Sequence, residues 1–283
     1  MQEIASGYGL IEAPLWVPGV GLYFSDVSGG GVRLLGRDGA ISTIIPKRRG
    51  VGGLALHADG GLVAGGRDIV HVSVGEAPVS TPLLASADLD GAIGFNDLTT
   101  DAQGRIYVGS LAFRVFGGEP SKPGHLHVID LDGTARTLSD GVMLTNGLGF
   151  SPDGTKLYHS DSRSSLVRIY DVAADGSVGP WRAFARFTNG GIPDGLAVAS
   201  DGSVWVADAR GGRVVVLAPD GSHRNDIGVT LPMVTSVCFG GDDLRDLYIV
   251  TGSDGSGREN AGTIICVRAD VAGQIRPLAR VKV

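Results

Sequence analysis

One short phrase recurs six times along this chain, and it constrains the fold more than any other feature. Each copy runs from a small or polar residue into an apolar run, through a tight turn, and into a second run that ends on a small or acidic residue. The copies are EAPLWVPGVGLYFSD from Glu12, GGLALHADGGLVAGG from Gly52, NDLTTDAQGRIYVGS from Asn96, NGLGFSPDGTKLYHSD from Asn146, DGLAVASDGSVWVAD from Asp194 and TSVCFGGDDLRDLYIVT from Thr235. Their starts lie 40, 44, 50, 48 and 41 residues apart. Strand-built repeats of roughly 40–50 residues are the signature of a β-propeller. A third apolar run follows each copy, for example HLHVIDL from His125 and LVRIYDV from Leu166, and a weaker fourth follows some, as in WRAFARF from Trp181. The expected fold is therefore all-β: a six-bladed β-propeller with about four antiparallel strands per blade, formed by residues 1–283 as one domain. Ring closure is expected from the two termini, QEIASG and LARVKV, meeting in the last blade.

Composition agrees with that architecture. Glycine makes up 46 of 283 residues, about 16% against a usual ~7%, and the excess sits at turns, eleven times as Asp-Gly. Hydrophobic residues at 43% are ample for a core. The net charge is −6 and the longest basic run is Lys47-Arg48-Arg49, a solvated loop, so no nucleic-acid partner is expected. No apolar stretch reaches 18 residues and the first residues lack a charged-then-apolar leader, which sets the expectation of a cytoplasmic protein with no membrane partner. Cys238 and Cys266 lie in apolar strand-like runs and are expected as free, buried thiols.

A propeller brings one end of every innermost strand to a central pocket, so residues in the same repeat phase meet there. Glu12, Gly52, Asn96, Asn146, Asp194 and Thr235 share the phase just before the innermost strand. Taken singly, each has a plainer reading: Asn146-Gly147 and Asp194-Gly195 as turns, Glu12 as a surface acid, Asn96 as an Asx cap. Turn chemistry does not account for Glu12 at the same place as the others. Two carboxylates and amide oxygens converging in a cleft make a site for a hard divalent cation, calcium first, then magnesium or manganese; no His or Cys joins the ring to favour zinc. The second runs end at Asp26, Gly66, Ser110, Asp161, Asp208 and Thr251. In an antiparallel blade the three acids of this set lie beside the ring, supporting either its ligands or the blade itself.

These residues resemble the SMP-30/gluconolactonase/luciferin-regenerating-enzyme family of six-bladed propellers. The matching segments are Glu12-Ala-Pro-Leu-Trp16, Phe95-Asn96-Asp97, Thr145-Asn146-Gly147-Leu148, Ile192-Pro193-Asp194-Gly195 and Thr235-Ser-Val-Cys-Phe-Gly-Gly241, in the family's order. The resemblance implies one divalent metal ion bound by Glu12, Asn146 and Asp194, with zinc and iron added to the possible ions, Asn96 beside the substrate, and hydrolysis of a small lactone. Two positions depart from the pattern. Sugar-lactonase members carry Arg before Phe-Asn-Asp where this chain has Gly94, and an acid where it has Arg114. Arg114 is accordingly a candidate for substrate binding.

The expected mechanism is metal-assisted opening of a cyclic ester, with Asp194 as the base that assists the attacking water and Asn96 and Arg114 holding the substrate. No Gly-x-Ser-x-Gly elbow is present, and the six histidines do not fall on the ring phase. The alternatives are another esterase or phosphotriesterase activity on the same propeller, and a non-enzymatic binding propeller. A monomer or weak homodimer is expected.

Overall fold

β-Branched and aromatic residues separated by Asp-Gly turns put most of the chain into short strands. In the computed structural model, which describes residues 1–75 and 78–283, the Asp201-Gly202-Ser203 turn shows how the punctuation works. Gly202 takes a φ of 81°, and the Asp201 carboxylate accepts from the Ser203 N–H and hydroxyl at 2.9 and 2.6 Å. The same cap recurs at Asp132, Asp175 and Asp220.

The strands form six four-stranded antiparallel sheets, as the repeat implied. Blade one comprises Ile11–Val17, Gly21–Asp26, Gly31–Gly36 and Ile41–Pro46. Blade two comprises Leu54–Leu56, Leu62–Ala64, Ile69–Val72 and Ser80–Leu84; blade three Gly94–Thr100, Ile106–Leu111, Gly124–Ile129 and Ala135–Val142. Blade four comprises Thr145–Phe150, Lys156–Asp161, Leu166–Asp171 and Arg182–Arg186; blade five Pro193–Val198, Val204–Asp208, Arg213–Leu217 and His223–Gly228. Blade six holds Val234–Gly240, Asp246–Thr251 and Gly262–Arg268, and its outermost strand is Gln2–Tyr8 from the other end of the chain.

That last pairing closes the ring, but only one terminus takes part. The LARVKV tail does not join blade six, whose fourth strand position is already filled. It runs instead beneath blades two and three, with Ala279 bridging His57 and the Arg280 and Lys282 N–H groups donating to Gly104 O and Leu131 O. Ala279 and Val281 are buried there among Ile69, Phe95 and Ile106. Six apolar layers result, one between each pair of neighbouring blades. Cys238 and Cys266 are both free, the first buried and the second half-buried between blades six and one. Among the described residues, no helix is long and apolar enough to cross a membrane.

The acids that end the second strands stabilise the blades. Asp26, Asp161 and Asp208 each pair with an arginine of the third strand, Arg33 at 3.0 Å, Arg168 at 2.7 Å and Arg213 at 3.2 Å. Each also accepts backbone N–H groups of the following loop, from Gly29, Ser164 and Gly211 respectively.

Two strand histidines are buried without charge. His159 bonds the Thr145 hydroxyl at 2.7 Å, and burial pushes its pKa down to about 3, helped by Arg168; burial and His125 push His127 down to about 4. Because the folded values lie below the ordinary 6.5, the unfolded chain binds the extra proton, and stability is lost as pH falls through 6.5 toward the folded value. His159→Gln is expected to remove one such proton. Urea melts should show the parent losing about 1.4 kcal/mol per pH unit relative to this variant below pH ~6.5. A difference that stays flat from pH ~7 to ~4.5 would show that His159 is protonated in the fold.

Candidate metal and substrate site

The innermost strands do not run straight through the ring positions. Register shifts fall between Glu12 and Leu15, Phe95 and Leu98, Thr145 and Leu148, Pro193 and Leu196, and Val234 and Ser236. A bulge of this kind re-aims a side chain that the pleat would otherwise send between the blades. Asn146-Gly147 and Asp194-Gly195 are thus bulged strand residues, and neither is a turn. The glycines are required by close approach: a Cβ on Gly147 would lie 2.5 Å from Leu196 N, and one on Gly195 would lie 2.0 Å from Ser236 Oγ. Gly52 is similar, since its Cβ would meet Asn96 Oδ1 at 2.1 Å.

The bulges bring Glu12, Asn96, Asn146 and Asp194 to the lining of one cavity of about 490 Å³. Asn96 donates through Nδ2 to Thr145 O at 2.8 Å and to Asn146 Oδ1 at 3.1 Å. Both protons of that amide are then committed, so Asn96 offers a ligand only its Oδ1 acceptor. Asn146 donates in turn to Ser162 Oγ, which donates to Pro193 O at 2.6 Å. The chain of bonds ties blades three, four and five together and fixes which end of the Asn146 amide is oxygen. Thr235 stands apart from the ring chemistry: its hydroxyl is buried and bonded to Ile11 O at 2.6 Å, closing blade six onto blade one.

Asp194 is 5% exposed, and its Oδ1 is buried without a hydrogen-bond partner. Burial, then the charge of Asp97, holds its pKa well above the usual carboxylate range. Glu12 is raised in the same way by burial, then Asp194, then Asp97. Asp97 is itself raised to about 6 by burial, against the opposing pull of Arg276. Arg276 comes from the C-terminal tail, which crosses the opposite end of the channel and anchors its guanidinium on Leu54 O at 2.8 Å. That end holds a second cavity of about 340 Å³, lined by none of the ring residues.

Two mutually repelling carboxylates, one with an orphan buried oxygen, fit a divalent cation, which would remove the conflict; Asn146 Oδ1 retains a second lone pair for it. Among the described residues no three His, Cys, Asp or Glu side chains are grouped to hold a metal, so a set built on Glu12 and Asp194 needs a donor of another kind, and the Asn146 amide lines the same cavity. Oxygen donors of this kind suit calcium, magnesium or manganese.

The structure does not bring Arg114 to this site. Phe113 is buried and the chain then turns, with Gly117 N–H donating to Arg114 O at 2.9 Å, which sends Phe113 inward and Arg114 out. The Arg114 side chain is 78% exposed, with its Nε 3.8 Å from Glu119. Gly94 is packed against blade two, where a Cβ would lie 3.2 Å from Gly66 O. Three residues go beyond the repeat-phase ring: Asp97, one position further along its bulge, and Arg163 and Arg210, which line the cavity. Asp97 stands where the other copies carry Ala, Gly or Ser, and an acid in that place was its visible signal.

Comparison with known proteins places this geometry in a family. The region described as SMP-30/Gluconolactonase/LRE-like matches residues 10–253. A 6-deoxy-6-sulfogluconolactonase of Pseudomonas putida is 33% identical, with 94% of each chain covered. A pentonolactonase of Haloferax volcanii is 32% identical, covering 94% of this chain and 92% of the relative. A luciferin-regenerating enzyme of known structure superposes with a TM-score of 0.87 at 23% identity, over 98% of this chain and 97% of that one, which speaks for the fold alone. The chain belongs to the SMP-30/gluconolactonase/LRE-like family.

Proposed function

We propose that this protein hydrolyses a sugar lactone, using one divalent metal ion held by Glu12, Asn146 and Asp194. The observation that carries this reading is the unpartnered, buried Asp194 Oδ1 beside a second carboxylate in a cavity large enough for a monosaccharide. The lactonase names of the two relatives at 33% and 32% identity support the reaction class.

The reaction joins water to an ester. The water oxygen bonds to the carbonyl carbon, the bond from that carbon to the ring oxygen breaks, and the ring oxygen leaves as a hydroxyl. Asp194 accepts the proton from water and returns it to the departing ring oxygen. Asn96 Oδ1 accepts from a substrate hydroxyl, its Nδ2 being held by Thr145 and Asn146. The apolar wall formed by Phe95, Leu111 and Ile192 limits water at the reacting carbon. A cation bound by the carboxylates and Asn146 supplies Lewis acidity to the carbonyl oxygen.

The test is a panel of sugar lactones assayed by proton release, before chelation, after it, and after return of calcium, magnesium, manganese, zinc or iron. Chelation is expected to abolish turnover and lower the melting temperature, and calcium or manganese to restore both. A ligand present at ~100 Kd adds about 2.7 kcal/mol. Full turnover in the chelated protein would overturn the metal assignment, and no turnover of any lactone with any ion would overturn the reaction class.

A further inference from the structure

The repeat phase contains one more ring, formed two residues after the end of each second run of the repeated phrase. Its members are Ser28, Asp68, Ala112, Arg163, Arg210 and Ser253. The only basic residues in it are Arg163 and Arg210, on adjacent blades, and those are the blades that supply Asn146 and Asp194. Both arginines are exposed, and unlike Arg114 both line the cavity that holds the ring residues, so they stand at its open mouth.

The loops that carry them are fixed. Asp161 accepts from Ser164 N–H at 3.4 Å, and Asp208 accepts from Arg210 N–H at 3.3 Å and Gly211 N–H at 3.0 Å. The same two acids are paired with Arg168 and Arg213. The carboxylates closest in sequence to Arg163 and Arg210 are therefore already engaged. Among the described residues, neither cavity arginine has a carboxylate within 4.0 Å. On the rim that blade three provides, the lining is apolar, from Leu111, Val115 and Phe116. The remaining acid of the lining, Asp254, lies in the loop between the Asp246–Thr251 and Gly262–Arg268 strands of blade six and accepts from the Gly255 N–H.

Charge then decides what the mouth selects. A divalent cation would cancel Glu12 and Asp194, leaving two arginines without a carboxylate partner at the open mouth of the cavity. The hydroxyls of an uncharged sugar can accept from guanidinium N–H groups but leave the two charges uncompensated, whereas a carboxylate, sulfonate or phosphate matches both the charge and the guanidinium fork. Resting on the lactonase reading, we propose that Arg163 and Arg210 form an anion clamp, and that the preferred substrate is a lactone carrying an anionic substituent remote from its ester carbonyl.

The experiment uses glucono-1,5-lactone, its 6-phosphate and its 6-deoxy-6-sulfonate on the metal-loaded enzyme, with Arg163→Met/Arg210→Met and Arg163→Lys/Arg210→Lys as variants. The parent is expected to prefer a charged lactone, and the relative response to sulfonate and phosphate identifies the anion. The double Met variant should lose at least about tenfold more kcat/KM on that lactone than on glucono-1,5-lactone, mainly in KM, with partial recovery in the Lys variant. Equal losses on all three lactones, or none, would overturn the clamp. Calorimetry with gluconate and the corresponding 6-phospho and 6-sulfo acids separates the two readings. Arginine-dependent binding of a charged acid with no lactone turned over would overturn the lactonase reading and retain the clamp. Equal turnover of charged and uncharged lactones by parent and variants would retain the lactonase and remove the clamp. Neither turnover nor arginine-dependent binding would remove both.

Discussion

Asp194→Asn, assayed with saturating metal on the best lactone, is expected to lower kcat by about 10²–10⁴-fold. The substitution keeps the shape and one oxygen, and removes the charge and the basicity. Two consequences separate this outcome from simple misfolding. The first concerns the metal: with one of two anionic ligands gone, affinity falls, but excess metal restores occupancy without restoring turnover. The second concerns stability. In the metal-free protein the Asp194 pKa is raised above its unfolded value by burial and Asp97, so ionisation at neutral pH opposes folding. Asparagine carries no such charge, and the metal-free variant is expected to melt above the metal-free parent. Parent-level kcat in the variant would show that Asp194 is a replaceable ligand and that the base lies elsewhere.

The blade number and the meeting of Glu12, Asn96, Asn146 and Asp194 were legible because a propeller converts repeat phase into spatial coincidence. The bulges that aim those residues were not legible as bulges. Gly147 and Gly195 read equally well as turn glycines, and only the approach of Leu196 and Ser236 shows that they are needed for blade packing. Second-strand acids were visible, but their partners were not, since the arginine lies seven residues on in blades one and four and five residues on in blade five. Arg114 misled because sequence distance from a ring strand says nothing about which way a loop residue points. Burial of Phe113 decided that, and it turned Arg114 to solvent. Arg163 and Arg210 had a phase signal as regular as that of the ring. It lies in the loops that follow the second runs, away from the strand starts that form the ring. The tail was missed for a different reason: LARVKV has the composition of a strand, and only occupancy of the fourth position in blade six excludes it from that sheet.

Arg168→Met is expected to destabilise the protein by about 3 kcal/mol, the low end of the range for removing one member of a buried ion pair. The pair is nearly dry, with side-chain exposures of 3% for Arg168 and 0% for Asp161. The arginine also donates to Asp140 O and Gly141 O and lies over Trp181, 4.3 Å from the ring centroid. The low end applies because Asp161 would keep the N–H groups of Met143, Leu144 and Ser164 as donors, so its charge would not be left bare. For a chain of this size that corresponds to a melting temperature lower by roughly 6–12 °C. Arg182→Met, on the outermost strand of the same blade, is the control. Its pair with Asp171 has a similar distance of 3.0 Å but exposures of 52% and 56%, where such pairs contribute roughly 0–1 kcal/mol. The double variant Arg168→Met/Asp161→Asn should recover part of the loss, because the orphaned charge is then gone while an amide oxygen still accepts from the loop. Equal melting of Arg168→Met and Arg182→Met would show that the repeated acid–arginine pairs do not hold the blades. Asp161 would then act through its backbone bonds to Met143 and Leu144, which lead into the strand that carries Asn146.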